Sequence, residues 1–137
     1  MRIFSLAPAE ALRSAAQNVN KPAYERLRGP ETGLVMLRGR TGGGGEAFNV
    51  GEATVTRCSV RLASGEVGHA YILGRDGERA ECAAWLDGLW QNPATRATVE
   101  DRVLAPLAAA IAAEERTVAA KSARTKVEFF TMVRGED

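Results

Sequence analysis

The sequence predicts a single α+β domain, with a mainly antiparallel sheet of about four strands packed against two or three helices. Three observations indicate this class. Strand-compatible runs cluster between residues 31 and 74, around a glycine loop. Apolar residues recur at helical spacing between residues 76 and 121, and one more apolar run covers residues 126–134. At 137 residues the chain is long enough for one hydrophobic core and too short for two.

The first 28 residues are predicted to form a helical N-terminal segment. A short helix is expected from Ala7 to Gln17, with Ser5 as its candidate cap. Asn18 to Pro22 interrupts the pattern, and Ala23 to Leu27 is compatible with one more helical turn.

Composition and charge exclude several classes of protein. No apolar stretch approaches the roughly 20 residues of a membrane span. The apolar run within Met1 to Ala11 is short and is interrupted by Glu10, unlike that of a secretory signal. The net charge of +1 argues against a general nucleic-acid binder. We therefore expect a cytoplasmic protein without a membrane or nucleic-acid partner.

The middle of the chain has the alternation expected of strands with one buried face. Leu34 to Leu37 is the first strand-compatible run, and a second begins near Ala47. Further along this second region, one face is predicted to be core and consists of Thr54, Thr56, Cys58, Val60 and Leu62. The opposite face carries Val55, Arg57, Ser59 and Arg61. Ala63 to Glu66 is a turn signal, and Val67 to Leu73 is the return strand of a hairpin.

The helical region begins at Asp76, a candidate cap. Its apolar stripe, which predicts core packing for both tryptophans, consists of Cys82, Trp85, Leu86, Leu89 and Trp90. Asn92-Pro93 is expected to stop this helix, and Thr98 to Asp101 resembles a capping box that opens the next one. Pro106 either kinks that second helix or begins a further helix.

The last predicted element is a closing strand from Val127 to Val133. One face of this predicted strand carries Val127, Phe129 and Val133, and the opposite face carries Phe130 and Met132. Apolar residues on both faces predict cover on both sides, either as a central strand or as an edge strand buried by a partner.

The glycine run is the most informative segment for function. Consecutive glycines can form a nest of backbone N–H groups that binds an anion, and flanking arginines could add hydrogen bonds to a phosphate. The glycines of the run are Gly42, Gly43, Gly44 and Gly45, and the flanking arginines are Arg38, Arg40 and Arg57. No Lys-Ser/Thr pair follows the glycines, and Phe48-Asn49-Val50 predicts extended backbone rather than a helix, so neither a P-loop nor a dinucleotide motif is present. The residues alone favour a flexible connection between strands, with anion or partner contact as the alternative.

Other polar groups indicate no reaction. Glu46 and Glu52 are a possible acid–base pair, but pairing with arginines or solvent exposure is the more common role. His69 is the one histidine in the chain and is expected to be structural. Cys58 and Cys82 have no general base near them in sequence and no CxxC spacing, so we expect buried thiols, no catalytic residue and no metal site.

Several segments in order resemble the PhnG family of the bacterial carbon–phosphorus lyase system. The similarity runs in register from about Arg28 to Asp137 and is carried by Pro30–Met36, Arg40–Asn49, Gly51–Cys58, Gly74–Asp76 and Phe129–Gly135. The resemblance implies a subunit that assembles with PhnH, PhnI and PhnJ, and that acts with PhnI, PhnH and PhnL to replace the adenine of ATP with an alkylphosphonate. The nucleosidase chemistry is attributed to PhnI and the radical chemistry to PhnJ. ATP with Mg would be a substrate of the complex, and this chain alone would bind no cofactor.

Under this resemblance the glycine segment and the closing strand become surfaces completed by another subunit. The substrate or interface candidates are Arg38, Arg40, Gly42, Gly43, Gly44, Gly45, Glu52 and Arg57. The interface candidates in the closing strand are Phe129, Phe130, Met132 and Arg134. The alternative hypothesis is a free-standing phosphate- or nucleotide-binding protein that uses the Gly42–Gly45 loop.

Overall fold

The computed structural model describes residues 2–40 and 44–125. Their fold is α+β, as predicted. The helices are α1 (Arg2–Leu6), α2 (Ala9–Ala16), α3 (Gly77–Gln91), α4 (Pro93–Val99) and α5 (Ala105–Arg124), and a π-helical turn (Glu100–Leu104) joins α4 to α5. The strands are β1 (Tyr24–Gly39), β2 (Phe48–Leu62) and β3 (Val67–Leu73).

The three strands form one antiparallel sheet in the order β1-β2-β3. The turn predicted at Ala63 to Glu66 connects β2 to β3, and Gly65 adopts a φ of 106° there, a conformation that glycine tolerates best. The predicted alternation in β2 is confirmed for Thr56, Cys58, Val60 and Leu62, all of which are buried. We call the side that carries these residues the inner face of the sheet.

Helix α3 lies on the inner face and forms the centre of the core. It contacts all three strands as well as α1, α2 and α4. Because it is enclosed by both the sheet and the other helices, most of its circumference is buried, including Ala80, Ala83, Ala84, Trp85, Leu86 and Leu89. Trp90 is partly buried, and its Nε1 donates to Glu100 Oε1 at 3.0 Å.

Two glycines allow α3 to approach β3 closely. A Cβ on Gly68 would lie 1.9 Å from the Ala84 carbonyl oxygen and 2.5 Å from the Gly88 nitrogen. A Cβ on Gly88 would lie 3.0 Å from the side chain of Leu62. The contact therefore requires the absence of a side chain at Gly68.

Thr56 organises the junction between β3 and α3. Its buried hydroxyl donates to the Gly74 carbonyl at 2.7 Å and accepts from the Asp76 N–H at 3.3 Å. Gly74 has a φ of 91°, and Asp76 caps α3, as predicted, by accepting from the Arg79 N–H at 2.9 Å. The end of β3 and the start of α3 are thus fixed together.

The N-terminal predictions need two corrections. Ser5 lies inside α1, where its Oγ donates to the Arg2 carbonyl, and the residue before α2 is Pro8. Ala23 to Leu27 does not add a helical turn, because β1 already begins at Tyr24, which pairs with Leu62. The helical part of the first 28 residues therefore ends in α2.

The C-terminal helices also differ from the prediction. Asn92 ends α3 as expected, but its side chain immediately caps α4 by accepting from the Ala94 N–H at 2.8 Å. Thr98 therefore lies within α4 and does not cap a helix, which corrects the predicted capping box. Pro106 lies in the first turn of α5, directly after the π-helical turn, where its missing N–H costs little.

The sheet has three strands within the described residues, against about four predicted. The predicted fourth strand, Val127 to Val133, lies outside the described residues. Its residues Phe129, Phe130, Met132 and Arg134 remain interface candidates from the sequence alone.

We predict that Gly68→Ala destabilises the fold by about 3 kcal/mol or more, because the new methyl group would overlap backbone atoms of α3 that cannot rotate away. Urea unfolding followed by circular dichroism measures the loss. Gly51→Ala is the control: its Cβ would meet nothing within 4 Å, so a change within about 0.5 kcal/mol is expected. An unchanged unfolding midpoint for Gly68→Ala would contradict the proposed packing constraint.

Candidate functional site

The glycine segment sits at the end of a two-stranded arm. Beyond the Gly33–Val55 pair, β1 and β2 continue to pair with each other as far as Gly39 and Phe48, whereas β3 ends where Leu73 pairs with Val55. Residues 34–39 and 48–54 therefore project past the third strand, and we call them the arm. In this part the sheet has no third strand among the described residues.

The arginines at the arm tip bind the arm's own backbone. Arg38 Nη2 donates to the Ala47 carbonyl at 3.1 Å, and Arg40 Nη1 donates to the Gly45 carbonyl at 3.4 Å. Both residues are exposed. No carboxylate of residues 2–40 or 44–125 lies within 4.0 Å of either guanidinium. Within these ranges, the two cations are thus held by neutral acceptors.

The glycine loop is described in part. Gly42 and Gly43 lie outside the described residues, and Gly44 and Gly45 are exposed. Within the described chain, positive φ angles occur at Gly65 and Gly74 and not at Gly44 or Gly45. The alternating backbone of an anion nest is therefore not formed by Gly44-Gly45, and the Gly45 carbonyl faces a cation instead.

Arg57 lies far from the other two arginines. Arg38 pairs with Asn49 of β2, and Arg57 lies eight residues further along that strand. Eight residues of extended strand span about 26 Å. The structure of the chain alone does not bring Arg38, Arg40 and Arg57 together around one phosphate.

Arg57 instead belongs to an ion cluster on the outer face of the sheet, opposite α3. Its Nη2 is 3.1 Å from Glu31 Oε2, and Arg28 Nη1 is 3.6 Å from the same oxygen. Two guanidinium groups share one carboxylate, so the cluster carries a net charge of about +1. It borders a shallow cavity of about 200 Å³, which is also lined by Gly33, Val55 and Tyr71.

Glu52 is exposed on the arm and pairs with Met36 across the strands. Glu46, its possible acid–base partner, is exposed in the loop. Neither carboxylate forms an ion pair or hydrogen bond with the described residues, so the structure assigns the two glutamates no common geometry.

His69 and Ser59 form a pair that the sequence did not predict. Ser59 Oγ and His69 Nδ1 are 2.9 Å apart, because the two residues face each other across β2 and β3. Asp87 is near His69 in space, but its Oδ2 accepts from the His69 backbone N–H at 3.0 Å, from the opposite side of the sheet. The imidazole and the carboxylate therefore do not form a Ser-His-Asp relay.

Both thiols are poor nucleophiles. Burial raises the pKa of Cys82 to about 11, and it also raises the pKa of Cys58. Cys58 Sγ donates to the Arg28 carbonyl at 3.4 Å. Since the thiolate is the reactive form, these cysteines fit the packing role predicted for them.

Residues 2–40 and 44–125 contain no group of three or more His, Cys, Asp or Glu residues placed to hold a metal ion. Within the same ranges, no helix combines the length and apolar character needed to cross a bilayer.

Apolar exposure is concentrated on the arm. Ten large apolar side chains are exposed in the described part of the chain, and five belong to the arm: Leu34, Met36, Leu37, Phe48 and Val50. Tyr71 and Leu73 adjoin its base on β3. The sequence pattern predicts strands here, but no local signal shows that their apolar residues lie beyond the cover of the core.

The comparisons with known proteins agree with the sequence motifs. A family model described as "Phosphonate metabolism protein PhnG" matches residues 1–135. The chain belongs to the PhnG family. It is also 51% identical over 138 residues to a protein of Rhizobium meliloti (strain 1021), the alpha-D-ribose 1-methylphosphonate 5-triphosphate synthase subunit PhnG, with 100% of this chain and 88% of the relative covered. The family membership indicated by the resemblance of several segments between about Arg28 and Asp137 is thus confirmed.

This PhnG-family chain has a further ion cluster that serves stability. Arg26 Nε and Nη2 donate to the two carboxylate oxygens of Glu81 at 2.6 and 3.0 Å, and Tyr24 Oη donates to Oε1 at 3.0 Å. The hydrogen bonds from Arg26 are the main cause of the lowered pKa of Glu81. The cluster joins β1 to α3.

We predict that Glu81→Gln lowers the unfolding temperature at neutral pH by a few degrees, and has progressively less effect as the pH falls through the folded-state pKa of Glu81. The sign follows from linkage: a carboxyl whose pKa is lowered by folding stabilises the protein above its unfolded-state pKa, and this contribution is lost as it becomes protonated. Thermal unfolding across acid to neutral pH is the measurement. Glu78→Gln on the same helix is the control, because the Glu78 carboxylate is nearly fully exposed and its closest guanidinium nitrogen is 3.9 Å away. An equal loss for Glu81→Gln at all pH values would contradict the prediction.

Proposed function

We propose that this chain is an accessory subunit of a synthase that replaces the adenine of ATP with an alkylphosphonate, giving an alkylphosphonate ribose triphosphate for organic phosphonate catabolism. Its partners would be PhnI, PhnH and PhnL, with PhnJ in the same assembly and the catalytic residues in a partner. Membership of the PhnG family and the synthase-subunit name of the 51% identical relative support this proposal.

The observation that carries the proposal is the distribution of polar and apolar groups. Several charged side chains of the sheet are already held in ion pairs. Arg61–Glu25 and Arg57–Glu31 join two strands, and Arg26–Glu81 joins a strand to a helix. Burial raises the pKa of both thiols, and the Asp87 carboxylate beside the Ser59–His69 pair accepts from the His69 backbone N–H. The arm meanwhile exposes five large apolar side chains. A chain organised in this way is better suited to assembly than to catalysis by itself.

Reconstitution tests the proposal. We expect the purified partner subunits, supplied with ATP, Mg²⁺ and methylphosphonate, to release adenine at the full rate only when this chain is present. Adenine is quantified by chromatography, and omission of methylphosphonate is the control. Full activity without the chain would refute the proposal. Binding of ATP to the isolated chain in calorimetry would favour the alternative of a free-standing nucleotide-binding protein.

We further propose that the Arg28–Glu31–Arg57 cluster contributes an oxyanion contact in the assembled synthase. Glu31 Oε2 lies 3.2 Å from Nε and 3.1 Å from Nη2 of Arg57, which favours one orientation of the guanidinium, and the second guanidinium leaves the cluster with excess positive charge. A planar guanidinium that is already oriented loses less entropy when it binds phosphate or phosphonate. The adjoining cavity leaves space for such a group.

Arg57→Ala should weaken ATP binding by the assembled complex about tenfold, the value expected of one charge-assisted hydrogen bond in a partly exposed setting. Glu31→Gln is the matched control, since it removes the same ion pair but keeps the guanidinium and an acceptor oxygen beside it, and it should lower ATP affinity much less than Arg57→Ala does. Equilibrium binding to the intact complex separates the cases. If both variants weaken assembly of the complex to the same extent and leave its ATP affinity unchanged, the ion pair is structural. That result would refute the proposed oxyanion contact.

A further inference from the structure

The arm is the part of the molecule whose surface is least explained by its own fold. The Thr32 hydroxyl is 3.2 Å from that of buried Thr56, so Thr32 lies on the inner face of the sheet. Leu34 and Met36 follow Thr32 at alternate positions of β1 and therefore share its face. These two side chains therefore continue the inner face beyond the end of the core, and they are 63% and 54% exposed. Val35 and Leu37 alternate with them on the outer face, where Leu37 is also exposed.

A two-stranded ribbon with apolar side chains on both faces is not a stable arrangement in water. Isolated hairpins are marginal, and they become stable when a hydrophobic face packs against further structure. The outer edge of β1 has no neighbour among the described residues, and no proline interrupts it after Pro30. Among the described residues, both the faces and the edge thus have the properties of a surface that another molecule covers.

Charge indicates the chemistry of that molecule. The arm tip carries Arg38 and Arg40, bound to neutral carbonyls at 3.1 and 3.4 Å. The carboxylates of Glu25 and Glu31 on β1, and that of Glu81 on α3, are already paired with arginines of this chain. A second copy of the chain would offer exposed carboxylates such as Glu46 and Glu52, but the synthase-subunit name of the 51% identical relative favours a non-identical subunit. A non-identical subunit with its own acidic groups would fit better.

We infer that the arm inserts into an apolar cleft of a non-identical synthase subunit, and that carboxylates at the closed end of the cleft receive Arg38 and Arg40. This inference rests on the proposed function, since it requires the chain to be a subunit of that assembly. Insertion covers both faces of the ribbon at once, which a flat contact would not do. The exchange of two neutral acceptors for carboxylates adds specificity to the apolar contact.

The test compares two double variants, each of which replaces two exposed apolar residues with Thr. Leu34→Thr with Met36→Thr removes apolar area from the arm while keeping strand-forming residues. Leu27→Thr with Val118→Thr is the control: these residues are 44% and 57% exposed but lie outside the arm, in the body of β1 and on α5. Circular dichroism and thermal unfolding establish that both proteins remain folded.

The measurement is the affinity of each purified variant for the complex of the remaining synthase subunits. We expect the arm variant to bind at least about 30-fold more weakly, as for a central interface residue, and the control to bind within about twofold of the unaltered chain. Arg38→Gln with Arg40→Gln should also weaken binding and reduce its dependence on ionic strength.

The outcomes separate the inference from the proposed function. If the unaltered chain binds the complex and the arm variant binds equally well, the inference is refuted while the proposed function stands. If the unaltered chain does not bind the complex, both are refuted. If the isolated chain is a dimer that the arm substitutions dissociate, without any loss of affinity for the complex, the occupant is a second copy and the inference is again overturned.

Discussion

The close contact between Gly68 on β3 and the 84–88 turn of α3 is the constraint on which the rest of the fold depends. It brings a helix backbone against a strand backbone at a distance that no side chain at residue 68 would allow. Because α3 lies so close, the Asp87 carboxylate reaches the His69 N–H, and the small residues of α3 fill the space over Cys58, Val60 and Ala70. The helix is then buried on most sides, and the remaining helices pack around it.

The same constraint determines where the sheet is covered and where it is not. Hydrogen bonds among Thr56, Gly74 and Asp76 hold the end of β3 next to the start of α3. Neither element therefore extends further along the sheet. β1 and β2 continue past this point for several residue pairs. The exposure of Leu34 and Met36 is thus a direct consequence of strand lengths, and it does not reflect a weakness in the core.

Local signals in the sequence were sufficient for features that depend on neighbouring residues. The Asp76 cap, the Ala63 to Glu66 turn and the end of α3 before Pro93 were all predictable, because capping, turn geometry and proline act within a few residues. Tyr24 to Leu27 was compatible with a helix and became a strand because β2 pairs with it, an interaction between residues more than 30 positions apart. The Arg57–Glu31 pair and the uncovered arm depend on register and on where β3 ends, and neither is encoded in a local pattern.

The structure also distinguishes the arginines that the sequence grouped together. Arg57 cannot leave its position without separating from Glu31, so it is an oriented cation whose placement is maintained by the chain itself. Within the described part of the chain, the contacts that Arg38 and Arg40 give up when they bind another group are to carbonyls, so an acidic partner can bind them without breaking an ion pair there. Oriented cations suit a substrate that must be bound in one geometry, whereas cations held by neutral acceptors suit a surface that forms during assembly. The physical difference between the two sets therefore favours separate roles for them, an oxyanion contact at Arg57 and subunit contact at the arm tip.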